Sequence, residues 1–230
     1  RAWGFRSCSP FPHSLLPLRP RLKYVCRMCN LYSFGSPGRV MDAANKALGH
    51  EVVLGARAGN LAEGYVGADS DGPVIRAAGK GLEIDVLRWG FPPTAPKDKD
   101  GKWEPPITNI RNLKSRWWTD VNREYLYEAK FRCLVPFSSF AEPVPGKGRE
   151  NGWFETTQAQ GFFAGIWRPW KGDTRLVPVE GKARRQRVSA ELEVYAFLTT
   201  EPNAIVKPIH PKAMPVILTD PDELREWMAG

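Results

Sequence analysis

Phe131-Arg132-Cys133-Leu134-Val135, Gly152-Trp153-Phe154-Glu155-Thr156-Thr157, Phe162-Phe163-Ala164-Gly165-Ile166-Trp167 and Leu192-Glu193-Val194-Tyr195-Ala196-Phe197-Leu198-Thr199-Thr200 are four apolar, β-branched or aromatic runs. Each has the length of a strand, and Gly and Pro signals separate them. Working outward, Leu82 to Trp89 alternates as a strand that Gly90-Phe91-Pro92-Pro93 ends, and Met214 to Thr219 reads as another. Helical signals are fewer. Arg39 to Leu48 is helical and stopped by Gly49; near the end Asp220 caps a short helix with Pro221 first and Glu223 completing a capping box. Short, closely spaced strands with few helices predict an α+β class. The expected architecture is one domain with a curved or barrel-like, mostly antiparallel sheet and a few flanking helices. Pro96 to Pro106 (PKDKDGKWEPP) and Lys182 to Arg187 (KARRQR) read as exposed loops.

The amino-terminal stretch reads differently. Residues 1–27 hold six basic residues, no acidic one and four prolines, without helix or strand period. Met28 has the look of a start codon, so residues 1–28 are expected to be a leader, either upstream sequence from a wrongly assigned start or a removed segment. Residues 29–230 are then the folded domain. An organellar transit peptide is the less favoured reading of the leader. The formal charge of +8 shrinks accordingly: removing the leader's six from 33 Lys and Arg leaves 27 against 25 Asp and Glu, or +2. Any nucleic-acid site must therefore be a local patch. No apolar run approaches the roughly 20 residues that span a bilayer. Cys8 and Cys26 lie in the leader, which leaves the domain Cys29, Cys133, His50 and His210. That supply argues against a structural zinc site or a disulfide framework, and for a reducing, cytoplasmic setting. No metal and no cofactor are expected.

Five positions carry candidate chemistry. With Met28 removed, Cys29 would present a thiol and a free α-amine on adjacent carbons. An α-amine of pKa about 7.7–8.0 is partly unprotonated near neutrality. It can condense with an aldehyde, and the thiol can close on the same carbon to a thiazolidine. The thiol alone could instead be an acyl-transfer nucleophile, or a small hydrophobe that follows the initiator by chance. Asn109 and Arg111 share strand parity, and amide plus guanidinium on one face suits a phosphate or carboxylate; a loop Asn beside a surface Arg is the plain alternative. Glu142 ends an apolar run, where desolvation would suit it to general acid work, unless it faces water. His210, held between Ile209 and Pro211, is a rigidly presented proton shuttle or a structural loop histidine.

Taken in order, Met28-Cys29-Asn30, Arg88-Trp89-Gly90-Phe91, Thr108-Asn109-Ile110-Arg111, Phe131 to Pro136 through Glu142, and Ile209 to Pro215 resemble the SOS-response-associated peptidase (SRAP) family of abasic-site processing proteins. The ordered set spans Cys29 to the Glu226-Trp227-Met228 tail. The resemblance implies a protein that binds single-stranded DNA and traps abasic sites covalently. Cys29 would be the cross-linking nucleophile through amine and thiol. Asn109 would orient the opened sugar or the amine, Glu142 would help open the deoxyribose ring, and His210 would shuttle protons at the same carbon. Arg111 matches a DNA-backbone contact, Trp89 an aromatic that shapes the DNA groove, and Thr199 a further site position. The family is also thought to release its own leading residues, which here would expose Cys29.

Two departures bear on the DNA path. Gly-Arg commonly follows the cysteine where this chain has Asn30-Leu31, and an aromatic commonly follows the glutamate where it has Pro143. The expected partner is abasic single-stranded DNA, bound by a monomer that is cytoplasmic, nucleoid-associated on damage, and not in a membrane. The competing readings are a cysteine hydrolase acting on peptides, with Cys29, His210 and Glu142 as its set, and a non-catalytic single-strand binder built on Trp89 and Arg111.

Overall fold

The computed structural model describes residues 31–147, 150–158, 160–173 and 175–230. The chain opens with β1 (Leu31–Phe34), α1 (Pro37–Leu48), β2 (Val52–Leu54), β3 (Gly64–Gly67), β4 (Asp71–Ala78), β5 (Gly81–Trp89) and β6 (Asn109–Ile110). It continues with α2 (Arg123–Tyr127), β7 (Arg132–Phe137), β8 (Ser139–Pro143), β9 (Asn151–Glu155) and β10 (Gly161–Gly172). The last elements are β11 (Leu176–Val177), β12 (Gln186–Arg187), β13 (Ala190–Thr200), β14 (Met214–Pro215), β15 (Ile217–Leu218) and α3 (Pro221–Ala229).

Five strands close a barrel. The order β13-β10-β7-β4-β5 is antiparallel throughout. A parallel seam then joins β5 back to β13, with Val194 opposite Arg88 and Tyr195 opposite Trp89. Gly90 completes that seam: its N–H donates to the Tyr195 carbonyl at 2.6 Å, at a φ of 123° that L side chains rarely adopt. A Cβ at Gly90 would also come within 2.6 Å of the Pro106 ring.

Period-2 alternation divides each strand between two cores. Val74, Leu87, Trp89, Cys133, Val135, Phe137, Phe163, Tyr195 and Phe197 meet in one cluster that draws on all five barrel strands. The opposite faces (Ile75, Ile84, Leu134, Phe162) pack against α1 and α3, or, through Ile166, Val194 and Ala196, against Trp118 and Leu126. α1 contributes Val40, Ala44 and Leu48 at four-residue spacing. Burying its valine and leucine stabilises the contact by about 1.5–3 kcal/mol each. Ser36 and Pro37 begin this helix two residues before the predicted Arg39, as a capping Ser and a first-turn Pro dictate. In α3 the Asp220 carboxylate accepts from the Asp222 N–H at 2.8 Å, one residue short of the Glu223 that the capping-box pattern indicated.

A second antiparallel sheet, in the order β3-β1-β8-β9, shares the barrel's inner cluster through Tyr32, Phe34, Val66, Phe140 and Phe154. The Tyr32 and Tyr195 hydroxyls join the two sheets by a buried hydrogen bond of 2.5 Å. The chain passes from β7 to β8 through Ser138, whose N–H donates to the Ser33 carbonyl at 2.7 Å. That crossing carries Glu142 out to the far end of β8.

Candidate active site

Asn109 stands on β6, which runs parallel to β13 with Asn109 opposite Phe197. Three bonds fix this short strand. Trp89 Nε1 donates to the Thr108 carbonyl at 3.1 Å, Thr199 Oγ1 donates to the Ile110 carbonyl at 3.0 Å, and Asn109 Nδ2 donates to Thr108 Oγ1 at 2.9 Å. Asn109 is buried, whereas Arg111 is exposed and reaches the Lys212 carbonyl at 2.7 Å. Both line one cavity with His210, as does Thr108, between them and Pro106.

Glu142 is fully buried on β8, directly opposite Gly152 on β9. The absence of a side chain at Gly152 is used: a Cβ there would lie 2.6 Å from Ile209 Cδ1. Ile209 therefore rests on β9 and delivers its neighbour His210 to the carboxylate, with Nδ1 4.0 Å from Glu142 Oε2. The same loop is tied down by the Asn203 side chain, which accepts from the Val206 N–H at 2.9 Å, and by the His210 N–H, which donates to the Val206 carbonyl at 2.8 Å. His210 Nδ1 lies 2.7 Å from the Ala213 carbonyl, an obligate acceptor, so Nδ1 carries the proton. Nε2 of the neutral ring then holds the lone pair and can accept and return a proton.

The cavity that holds Asn109, Arg111 and His210 has a volume of about 710 Å³, and Lys97, Lys99 and Lys212 also line it. A larger concavity of about 1080 Å³ lies on the barrel flank between Arg57, Arg88, Trp117 and Trp170. Arg57 and Arg88 are there committed to Asp85, Glu193 and Asp71, and none of the expected site residues lines it. His210 lines the smaller cavity, and the Glu142 carboxylate lies 4.0 Å from its ring.

Two expected positions take supporting roles. Trp89, expected to shape a DNA groove, is 0% exposed and stacks on Phe197 at 5.1 Å, so neither ring face is open to a base. Its part is to hold Thr108 from behind, because an inward position on β5 points it into the barrel. Thr199 likewise spends its hydroxyl on the Ile110 carbonyl. Met28 and Cys29 lie outside the described residues. Cys133, the cysteine among the described residues, is buried on β7, and burial pushes its thiol far above the usual range, which removes it as a nucleophile. No group of three or more His, Cys, Asp and Glu placed to hold a metal occurs among the described residues. Gly152, Ile209 and the Ala213 carbonyl were not legible as site components. A glycine opposite a glutamate gives no sequence signal until the register of β8 and β9 is known.

A small closed barrel with a second sheet beside it, Asn109 and His210 lining one cavity and Glu142 4.0 Å from the imidazole, defines a single-domain α+β protein. The model of the SOS response associated peptidase (SRAP) family matches residues 28–230, and the chain belongs to that family. Solved structures share the fold. A protein from Bordetella bronchiseptica is 19% identical with a TM-score of 0.59, covering 88% of this chain and 89% of its own. One from Bacteroides thetaiotaomicron is 21% identical with a TM-score of 0.54, covering 87% and 81%. A phage-related protein from Bordetella bronchiseptica is 16% identical with a TM-score of 0.52, covering 87% and 81%. No curated protein matches the chain.

Proposed function

We propose that this SRAP protein captures abasic sites in single-stranded DNA as a covalent adduct of Cys29, and that it releases the residues ahead of Cys29 by its own peptidase chemistry. The observation that carries the reading is the approach of Glu142 to His210 at 4.0 Å, with His210 on a cavity that Asn109 also lines. β1 begins at Leu31 opposite Ala141, the residue before Glu142.

The ring-closed abasic sugar opens when its ring oxygen gains a proton, supplied by Glu142, and its anomeric hydroxyl loses one to His210 Nε2. The α-amine of Cys29 adds to the aldehyde carbon; one of its protons passes to the aldehyde oxygen and the other to the Glu142 carboxylate, and the oxygen leaves as water with the proton returned by His210. The thiol then adds across the resulting imine, closing a thiazolidine. Asn109 orients the opened sugar, and Arg111 holds a flanking phosphate. The ligand is DNA in single-stranded form, bound by a monomer in the cytoplasm and brought to the nucleoid by damage. No helix among the described residues is long and apolar enough to cross a membrane.

Geometry disfavours a peptide-hydrolase triad. A triad needs Glu142 to accept from His210 Nδ1, and that proton is given to the Ala213 carbonyl instead. The test is to incubate protein beginning at Cys29 with abasic single-stranded DNA and run a denaturing gel. A slow-migrating adduct that Cys29→Ala abolishes is expected, and an undiminished adduct from that variant would refute the chemistry.

A further inference from the structure

Two segments that read as ordinary solvated loops lie side by side. Residues 96–106 fold back on themselves, with Lys97 bridged to Trp103, and residues 186–187 form β12 against β11. Trp103 joins them. It is 40% exposed, with the Arg187 guanidinium 4.3 Å and the Lys97 ammonium 4.8 Å from its ring centre. Across residues 96–106 and 180–187 there are seven Lys and Arg against four Asp and Glu. One of those acids, Asp98, is turned into its own loop, accepting from the Asp100 and Lys102 N–H groups at 2.9 and 2.8 Å.

The cations of this edge differ from those elsewhere on the barrel. Arg57, Arg76, Arg88 and Arg175 are all paired with carboxylates. Among the described residues, Lys97, Lys99, Lys182, Arg184 and Arg187 have no carboxylate within ion-pair distance. Lys97 and Lys99 also line the cavity of Asn109, Arg111 and His210, so the strip is continuous with the candidate active site. Lys97 and Arg187 meet at Trp103, and a surface strip of cations without carboxylate partners raises the local concentration of a polyanion.

We propose that this edge, from Lys99 past Trp103 to Arg184 on the β11–β12 ribbon, is a second contact for the nucleic-acid backbone. It would hold the phosphates of the strand as it leaves the cavity. Trp103 is a positioning residue that holds two cations against its ring rather than a platform for a base. The proposal rests on the single-stranded-DNA reading for its ligand, but not on cross-linking.

The test uses undamaged oligothymidylates, one long and one just long enough to fill the cavity, with affinity measured as salt is raised. Each phosphate contact adds about 0.7 to the log–log salt slope on single strands. Arg184→Gln/Arg187→Gln should therefore lower the slope on the long strand by about 1.4. Over a fourfold rise in salt, the variant would lose about sevenfold less affinity than the parent loses. The slope on the short strand should not change. Lys182→Gln/Arg184→Gln, on the exposed end of the ribbon, guards against a loosened Trp103 loop and should act in the same direction. Parental slopes on the long strand in both variants would overturn the proposal, as would failure of the parent protein to bind either strand. Reduced slopes together with an absent abasic adduct would uphold this contact while removing the capture chemistry.

Discussion

Gly152→Ala should separate the packing that builds the site from the chemistry the site performs. The added methyl would stand 2.6 Å from Ile209 Cδ1 and 3.2 Å from its Cγ2, against about 3.5–4.0 Å for an unstrained carbon contact. Roughly 1 Å must be found, either by turning Ile209 off its rotamer or by lifting the loop from β9. Overpacking of this kind costs about 1–3 kcal/mol. For a domain of this size, each kcal/mol lowers the melting temperature by about 2–4 °C. Because His210 follows Ile209 directly, lifting the loop also widens the 4.0 Å approach to Glu142. A 1 Å misplacement of a reacting group can cost about 100-fold in rate. The assay is single-turnover adduct formation with abasic single-stranded DNA, alongside thermal unfolding. Ile209→Val removes Cδ1, the atom in closest conflict, so Gly152→Ala/Ile209→Val should recover most of the rate and part of the stability. Parental behaviour in Gly152→Ala, or a double variant as impaired as the single one, would show that the glycine does not set the position of His210.

Four further outcomes are expected. Trp89→Phe should lower the melting temperature, since the Thr108 carbonyl loses its donor, but should leave the salt dependence of DNA binding unchanged; an altered salt slope would restore Trp89 to the DNA surface. Thr199→Val, which deprives the Ile110 carbonyl of a partner, should cost about 1 kcal/mol and slow adduct formation, whereas Thr199→Ser should retain both; equal behaviour of the two variants would refute a positioning role. Asp69→Asn should destabilise by about 3 kcal/mol, because it leaves the buried Arg175 guanidinium with an uncompensated charge, and Asp69→Asn/Arg175→Met should be less destabilised than the single variant in a urea titration. Acid should weaken the fold through Asp85. Burial opposes its ionisation, but the hydrogen bonds from Arg57 and the Val86 N–H, with the nearby charge of Arg76, outweigh burial and hold its carboxyl below the usual range. A folded-state pKa below the unfolded value of about 3.9 means that this stabilisation is complete above that pH and is lost as pH falls through the folded value. Asp85→Asn should therefore flatten the urea midpoint against pH below about 4, and an unchanged acid limb would exclude the pair.

The strands β5, β7, β9, β10 and β13 were legible because each presents a run of apolar or β-branched residues. β10 extends to Gly172, beyond the predicted Trp167, since Arg168 to Lys171 continue the pairing with β13 after the apolar run has ended. β1, β3, β4 and β8 gave no such run. They are half-buried or Gly- and Pro-containing, and pairing within a sheet supplies what their own composition lacks. Met214 to Thr219, read as one strand, is two: β14 pairs with β13 and β15 with β10, and Pro215 and Val216 lie at the switch. Trp89 shows the opposite difficulty. An aromatic beside a glycine is equally good as a groove wall or a barrel core, and only the direction of the β5 pleat decides between them.

Local chemistry written in the chain thus determined the class of fold, the family, and the residue types able to move protons or meet phosphates, because periodicity and short ordered motifs are properties of neighbours in sequence. The parallel seam of β5 and β13, the contact of Gly152 with Ile209, the tautomer that Ala213 imposes on His210, and the union of the two basic segments at Trp103 were decided by tertiary structure alone. Each joins residues tens of positions apart or turns on a backbone atom's direction, and neither separation in space nor the aim of a carbonyl is encoded in the identity of a single residue.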